Sequence, residues 1–226
     1  MSEPKIARWT LVYDELKRQI QSLELRPGAH LSESGIAAQF GVSASPVRDA
    51  LGRLSQEGLL TVKRGQGYTV ASLTIGSIVE ICDLRFVLET GAARLSMERA
   101  RPEDFEPLFA LSAATGEKDI ADFELIRRNC DFHIGLAGLS QNAKLVDAVR
   151  RVMDDSVRVF HLGLPSFAVH GMQRDHDALV AAIRDRDSAA VNTLLHAEAY
   201  DASQRVLEQL VHSPSPRIAQ MISTEH

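Results

Sequence analysis

Aromatic residues make up only 5% of this 226-residue chain, with a single Trp and three Tyr. Its core must therefore be filled by Leu, Val, Ile and Ala, which a hydrophobic content of 45% can supply. Cysteine is scarcer still, with Cys82 and Cys130 both inside helical patterns. Two such residues exclude a disulfide scaffold and read as buried free thiols in a reducing cytosol. No apolar run approaches the length of a membrane span, and the N-terminus lacks the apolar segment of a signal peptide. A cytoplasmic location without a membrane partner is the expectation. Repeats and low-complexity tracts are absent. No nucleophile is accompanied by an oxyanion device, which argues against an enzyme.

Positive charge is also short overall, at a net −5. Its distribution matters more than the sum. Residues 1–75 hold nine Lys+Arg against seven Asp+Glu, a balance of +2, and the remainder carries −7. A nucleic-acid partner would belong to the first part, with ordinary and salt-dependent affinity.

The chain is organised around residues 31–58, LSESGIAAQFGVSASPVRDALGRLSQEG. Ser32 can cap a first helix whose apolar face is Ile36, Ala37 and Phe40. Gly41 breaks that helix, because glycine enters the left-handed region without steric cost. Ser45 followed by Pro46 reads as the cap and first position of a second helix. Val47, Leu51 and Leu54 face inward there, Arg48, Asp49, Gly52 and Arg53 face outward, and Gly58 ends it. Helix, sharp turn and second helix is the arrangement that places the second helix in the DNA major groove. Two short β-type runs, 59–62 and 68–71, follow around Lys63-Arg64-Gly65-Gln66-Gly67. A hairpin with that basic, glycine-rich tip suits a phosphate backbone or a minor groove.

These residues closely resemble the winged helix-turn-helix of the GntR family of bacterial transcription regulators, over about the first 70 residues. The turn, the Ser-Pro cap, Arg48 and the wing occur in order. Family members usually carry arginine where this chain has Ser34 and Ala44, both similar to DNA-contacting positions, so weaker binding or a different operator is implied. Arg48 matches and is the best candidate for a base contact. Ser43 and Ser45 can donate to phosphates, and Lys63, Arg64 and the backbone of Gly65 and Gly67 serve the phosphates or minor groove. The resemblance implies a homodimer on palindromic double-stranded operator DNA, most often as a repressor.

Preceding the motif, residues 9–23 form an amphipathic helix with Leu11 or Val12, Leu16, Ile20 and Leu23 toward the core. After it the pattern is almost wholly helical: 75–99, 102–112, 119–139, 142–162, 166–184 and 188–211, with residues from 213 frayed. The fold class is mostly α: a winged helix-turn-helix domain (1–73) and an all-α six-helix antiparallel bundle (74–226).

Polar residues interrupt the apolar stripes of four bundle helices. Arg85 lies among Ile78, Ile81, Leu88, Ala92 and Leu95. Asn129 and His133, one turn apart, share a face with Ile126 and Leu136. His176 aligns with Met172, Leu179 and Ile183, and Glu198 with Val191, Leu195, Ala202 and Val206. One inward histidine is usually a satisfied hydrogen-bonder. Four coincident cases suggest a filled polar cavity, because a buried charge costs several kcal/mol unless paired or metal-bound. Two imidazoles, a carboxylate and an amide oxygen suit Zn²⁺ or another divalent transition metal. Arg85 could hold the carboxylate of a small organic acid by a two-pronged bond. His161, His170 and His212 read as surface residues.

This half resembles the all-helical FCD effector domain of the FadR subfamily, VanR-like group, through NCDFH and DHDALVAAIRDRD. In many such domains an aspartate four before a histidine and two later histidines hold a metal. His133 and His176 match. Asn129 replaces the aspartate, Glu198 stands where the last histidine would be, and His196 is two residues off. The effector site is thus expected at Arg85, Asn129, His133, His176 and Glu198, the last four being possible metal ligands. A metal-free polar pocket stays open as the alternative. So do a constitutive DNA-binding dimer with a vestigial pocket and a metal-dependent hydrolase.

Overall fold

The computed structural model describes residues 8–63, 67–117, 119–163, 172–212 and 222–223. It divides into two compact units, Met1–Thr74 with Ala219–His226, and Ile75–Ile218. Ile222 and Ser223 group with the first unit. The link is a short parallel pairing of β4 (Leu73–Thr74) with β5 (Ile222–Ser223).

The first unit opens with α1 (Arg8–Gln21), whose Val12, Leu16 and Ile20 recur every four residues and are buried. Leu11 is exposed, so Val12 is the residue that faces the core. Strand β1 (His30–Leu31) leads to α2 (Glu33–Phe40), capped by the Ser32 hydroxyl, which accepts from the Gly35 amide at 3.1 Å. Gly41 ends α2 with a φ of 62°. Helix α3 (Ala44–Gln56) starts two residues earlier than expected, at Ala44 and not at Pro46. Ser43 is the N-cap, without a side-chain bond, and Pro46 takes the third helical position. Proline is tolerated there because the first four amides of a helix have no acceptor within it. Val47, Ala50, Leu51 and Leu54 pack inward against α1 and Ile36. Past α3, Gly58 adopts a φ of 76° and the Leu59 amide bonds back to the Leu54 carbonyl, which closes the helix end.

Strands β2 (Leu60–Lys63) and β3 (Gly67–Val70) form the wing, and β1 completes an antiparallel sheet of order β1-β3-β2. Gly67 combines a φ of 83° with a crowded site, since a Cβ there would lie 3.2 Å from the His30 ring. The expected tip residues Arg64 and Gly65 lie outside the described residues.

In the second unit, α4 (Ile75–Arg99) is followed by a 3₁₀ turn (Pro102–Phe105), α5 (Glu106–Ala114), α6 (Asp122–Gly138), α7 (Ala143–Gly163), α8 (Met172–Arg184) and α9 (Ser188–His212). Asn142 caps α7 through the Leu145 amide, and Asp187 caps α9 through the Ala190 amide. The expected start of α8 at 166, His170 and most of the tail from 213 fall outside the described residues. Helix α4 packs against α6, α7, α8 and α9. Its buried face is therefore enclosed on several sides, and that face carries the polar groups.

Candidate functional site

The candidate DNA-facing side of the first unit is made by α3 and its cap. Ser34, Ser43 and Ser45 are exposed, Ala44 is half-buried, and the Arg48 side chain is 64% exposed. The Arg48 Nε donates to Glu33 Oε2 of α2 at 2.7 Å. That carboxylate raises the Arg48 pKa and orients the guanidinium from below. Such a surface pair is worth little and is readily exchanged for a phosphate or a base edge. Gly67 is exposed at the start of β3, and Lys63 ends β2.

In the second unit the structure brings Arg85, His133, His176 and Glu198 together. It adds one residue that the sequence reading passed over, Glu89, which is 1% exposed and sits one turn beyond Arg85. The Arg85 Nε donates to Glu89 Oε1 at 2.5 Å. Arg85 Nη1 donates to the backbone oxygen of Glu198 at 2.9 Å, and Nη2 lies 2.9 Å from His133 Nε2. Beneath this, the Phe160 ring lies 5.3 Å from the guanidinium carbon.

Donor and acceptor accounting assigns the imidazole protons. A guanidinium can only donate, so His133 Nε2 accepts from Arg85 and the ring proton sits on Nδ1. That nitrogen lies 2.5 Å from Glu89 Oε2, too close for two facing lone pairs, although the contact is not aligned as a hydrogen bond. On α8, His176 Nδ1 lies 3.2 Å from Thr115 Oγ1, whose own proton goes to the Ser112 carbonyl at 2.7 Å. Thr115 must therefore accept, and His176 also carries its proton on Nδ1. Its ring stacks on Phe132 at 3.8 Å. Both imidazoles thus present an Nε2 lone pair, the state that binds a metal.

Glu198 supplies the carboxylate. Its side chain is 16% exposed, yet both oxygens are buried and neither has a hydrogen bond among the described residues. Oε2 sits 3.2 Å from His133 Nε2 and 3.8 Å from Arg85 Nη2. One donor atom from each of His133, His176 and Glu198 lies within 4.8 Å of the others. Asn129, buried at 6% exposure, stands one turn before His133. Two imidazole lone pairs and an unsatisfied carboxylate are a donor set that fits a small divalent cation.

Electrostatics sort the groups further. Burial alone would raise the Glu89 carboxyl, but Arg85 and then His133 override it and bring it down to about 2. For Glu198, burial wins over His133 and Arg85, and its pKa is raised. Burial, reinforced by the nearby Arg85 charge, pushes His176 down to about 2, so its ring is neutral. Cys130 is driven up to about 12 by burial and is no reactive thiol.

His161 departs from the surface expectation, being half-buried and stacked on Phe123. His196 is exposed and packs edge-on against Phe86, away from the cluster. Glu89 could have been found in the sequence: an Arg followed four residues later by a Glu, both on a stripe that should be apolar, is the signature of an enclosed ion pair. Thr115 gave no such signal, because it follows the end of α5.

The geometry can be set beside known proteins. Residues 10–70 match the model of bacterial regulatory proteins, gntR family, and residues 80–199 match the FCD domain. The Nta operon transcriptional regulator of Aminobacter aminovorans is 31% identical over 176 residues, covering 77% of this chain and 84% of that protein. The chain belongs to the GntR family. Within the family it pairs the gntR winged helix with an FCD domain, the FadR-like arrangement. The HTH-type transcriptional repressor GlaR of Escherichia coli (strain K12) is 26% identical over 196 residues, covering 81% of this chain and 88% of that one. Among solved structures, E. coli McbR/YncC superposes with a TM-score of 0.72 at 26% identity, covering 90% of this chain and 98% of that one. This GntR protein is accordingly a DNA-binding transcription regulator with an effector-binding FCD domain, and not an enzyme.

Proposed function

We propose that this regulator is a cytoplasmic homodimeric repressor whose α3 helices read a palindromic operator and whose helical unit senses a small organic acid. The observation that carries the reading is the buried polar nest of Arg85, Glu89, His133, His176 and Glu198 inside an otherwise apolar bundle. Stability alone does not call for it, since well-packed hydrocarbon would serve as well or better.

On DNA, Arg48 is the base-contacting residue, released from Glu33 when the groove is engaged. Ser34, Ser43 and Ser45 donate to phosphates beside it, Ala44 sits among them without a polar group, and Lys63, Arg64, Gly65 and Gly67 place the wing on the backbone. In the helical unit, Arg85 turns its Nη atoms to the carboxylate of the effector while Glu89 holds its Nε. His133, His176 and Glu198, with Asn129 beside them, would hold a Zn²⁺-like ion. When bound, that ion would supply positive charge to attract and fix an acidic effector. Helix α4 carries both Arg85 and Glu89 and begins at the residue after β4, so a shift of α4 is passed directly along the chain. A coupling of about 1–3 kcal/mol is enough for a working switch.

Self-association is supported by the outer face of α4. Leu84 and Val87 are 50% and 66% exposed, and Gly91 beside them leaves open space. On the same face Glu80 and Arg94 stand seven residues to either side of Val87. Two α4 helices crossing antiparallel about a two-fold at Val87 would set each Glu80 against the other copy's Arg94.

The competing reading, a constitutive dimer with a vestigial pocket, gains from the fact that Arg85 already satisfies much of the nest. Thermal melting against small carboxylic acids, with and without Zn²⁺, separates the two. A ligand at 100-fold its Kd adds about 2.7 kcal/mol of stability and should change operator affinity. No response to any acid or ion would favour the vestigial pocket.

A further inference from the structure

The atoms that would face a bound ion already face a cation. Arg85 Nη2 lies 2.9 Å from His133 Nε2 and 3.8 Å from Glu198 Oε2, and Nη1 is bonded to the Glu198 backbone. An ion among donor atoms that lie within 4.8 Å of one another would meet that guanidinium inside ordinary contact distance. Both cannot use the His133 lone pair at once, and two like charges at such range repel strongly. We infer that Arg85 is a built-in competitor of the divalent ion: its guanidinium engages the His133 lone pair and faces Glu198, and an ion enters only when it withdraws from both.

Three features support this. Glu89 anchors Arg85 through Nε, leaving the Nη edge free to swing while the ion pair persists. Glu198 lacks any hydrogen bond to its carboxylate oxygens, so the guanidinium compensates it only at a distance. His176 is not bonded to Arg85 at all, and its proton is held by Thr115. Arginine is thus a partial substitute that satisfies one imidazole and leaves the other two donors waiting. The consequence is that ion and acid help one another. A carboxylate that draws the Nη edge of Arg85 uncovers His133, and an ion on His133 frees Arg85 for a carboxylate. By linkage the assistance is mutual. The inference rests on reading this pocket as the effector site, but it concerns Arg85 alone and can fail separately.

The test is titration calorimetry with Zn²⁺ and with Mn²⁺, in the absence of any acid, on the full-length wild type and on Arg85→Gln. Removing the competitor should tighten Zn²⁺ binding at least tenfold. Equal or weaker binding by a folded variant, or no binding by either protein, overturns the inference. Should Arg85→Gln not fold, Arg85→Gln/Glu89→Gln removes both buried charges together and is held to the same outcomes. A readout on the wild type needs no variant at all. In spectra of protein labelled with ¹⁵N at Arg and His, Zn²⁺ should move the Arg85 Nε–H signal together with the ring signals of His133 and His176. Ring signals that shift while Arg85 stays still would overturn it. Operator binding by the same wild-type preparation reports the regulator reading independently.

Discussion

Replacing Glu89 with alanine should be the most damaging single truncation of a charged residue in the helical unit. The side chain is 1% exposed, bonds Arg85 Nε at 2.5 Å and meets His133 Nδ1 through its other oxygen. Alanine is the better helix former, so the backbone loses nothing. What is lost is the partner of a guanidinium that is itself 3% exposed. Breaking a buried pair from one side costs about 3–5 kcal/mol. For a chain of this size about 2–4 °C accompanies each kcal/mol, so melting should fall by roughly 6–20 °C. Glu89→Gln keeps one acceptor oxygen, for Arg85 Nε, but turns its amide NH2, a donor, toward His133 Nδ1 and loses the charge. Its cost should be nearer about 1.5–3 kcal/mol, the worth of a charge-assisted hydrogen bond. Asp147→Ala, at an exposed position of α7, serves as control and should stay within about 0.5 kcal/mol. Urea and thermal denaturation followed by far-ultraviolet circular dichroism give all three values. A Glu89→Ala protein as stable as the control would refute the enclosed ion pair and the pocket built on it.

Other consequences are equally concrete. His176 is neutral in the fold with its pKa pushed down to about 2 from 6.5, so the unfolded chain binds its proton first. Its contribution is whole above pH 6.5 and drains away below it, at up to about 1.4 kcal/mol per pH unit. Glu89, also depressed, adds a loss of the same sign as pH falls from 4.5 toward about 2, whereas Glu198, raised, acts oppositely. Urea midpoints should therefore drop between pH 6.5 and 5 and flatten in His176→Gln; identical slopes in the two proteins would contradict this. Arg48→Ala should abolish specific operator binding in fluorescence anisotropy while leaving stability within about 0.5 kcal/mol, as befits an exposed surface pair. If two copies associate through α4 as proposed, Val87→Glu should give a monomer in sedimentation equilibrium where the wild type gives a dimer, and an unchanged mass would remove α4 from the interface.

The sequence spoke most clearly where local chemistry is forced. Ser32 and Gly41 bracket α2 because one supplies an acceptor and the other a left-handed turn, and both are visible in the letters. The span of α4, 75–99, follows from a continuous helical period of apolar residues with no proline to break it. The start of α3 was less legible, because Ser43 and Ser45 are both plausible caps and proline is tolerated anywhere in the first turn. Inward polar residues stood out on helical wheels, which is how Arg85, His133, His176 and Glu198 came to notice. Periodicity says which way a side chain points but not what it meets. Glu89 lies on the buried face of Ile78, Cys82, Arg85, Ala92 and Ser96, which is rotated from the stripe through Ile81, Leu88 and Leu95 that periodicity marks. The engagement of Arg85 with His133 joins residues 48 apart and has no local signature. The pairing of β4 with β5 spans nearly the whole bundle in sequence and was invisible for the same reason.

The polar nest and α3 are proposed to be two parts of one switch. The direct measurement is operator affinity by fluorescence anisotropy at fixed salt, with and without Zn²⁺ plus the small acid that most raises the melting temperature. A shift in Kd of at least about fivefold, the lower bound of useful coupling, is expected in the wild type and should vanish in Glu89→Gln. An operator affinity indifferent to a ligand that demonstrably stabilises the helical unit would contradict it.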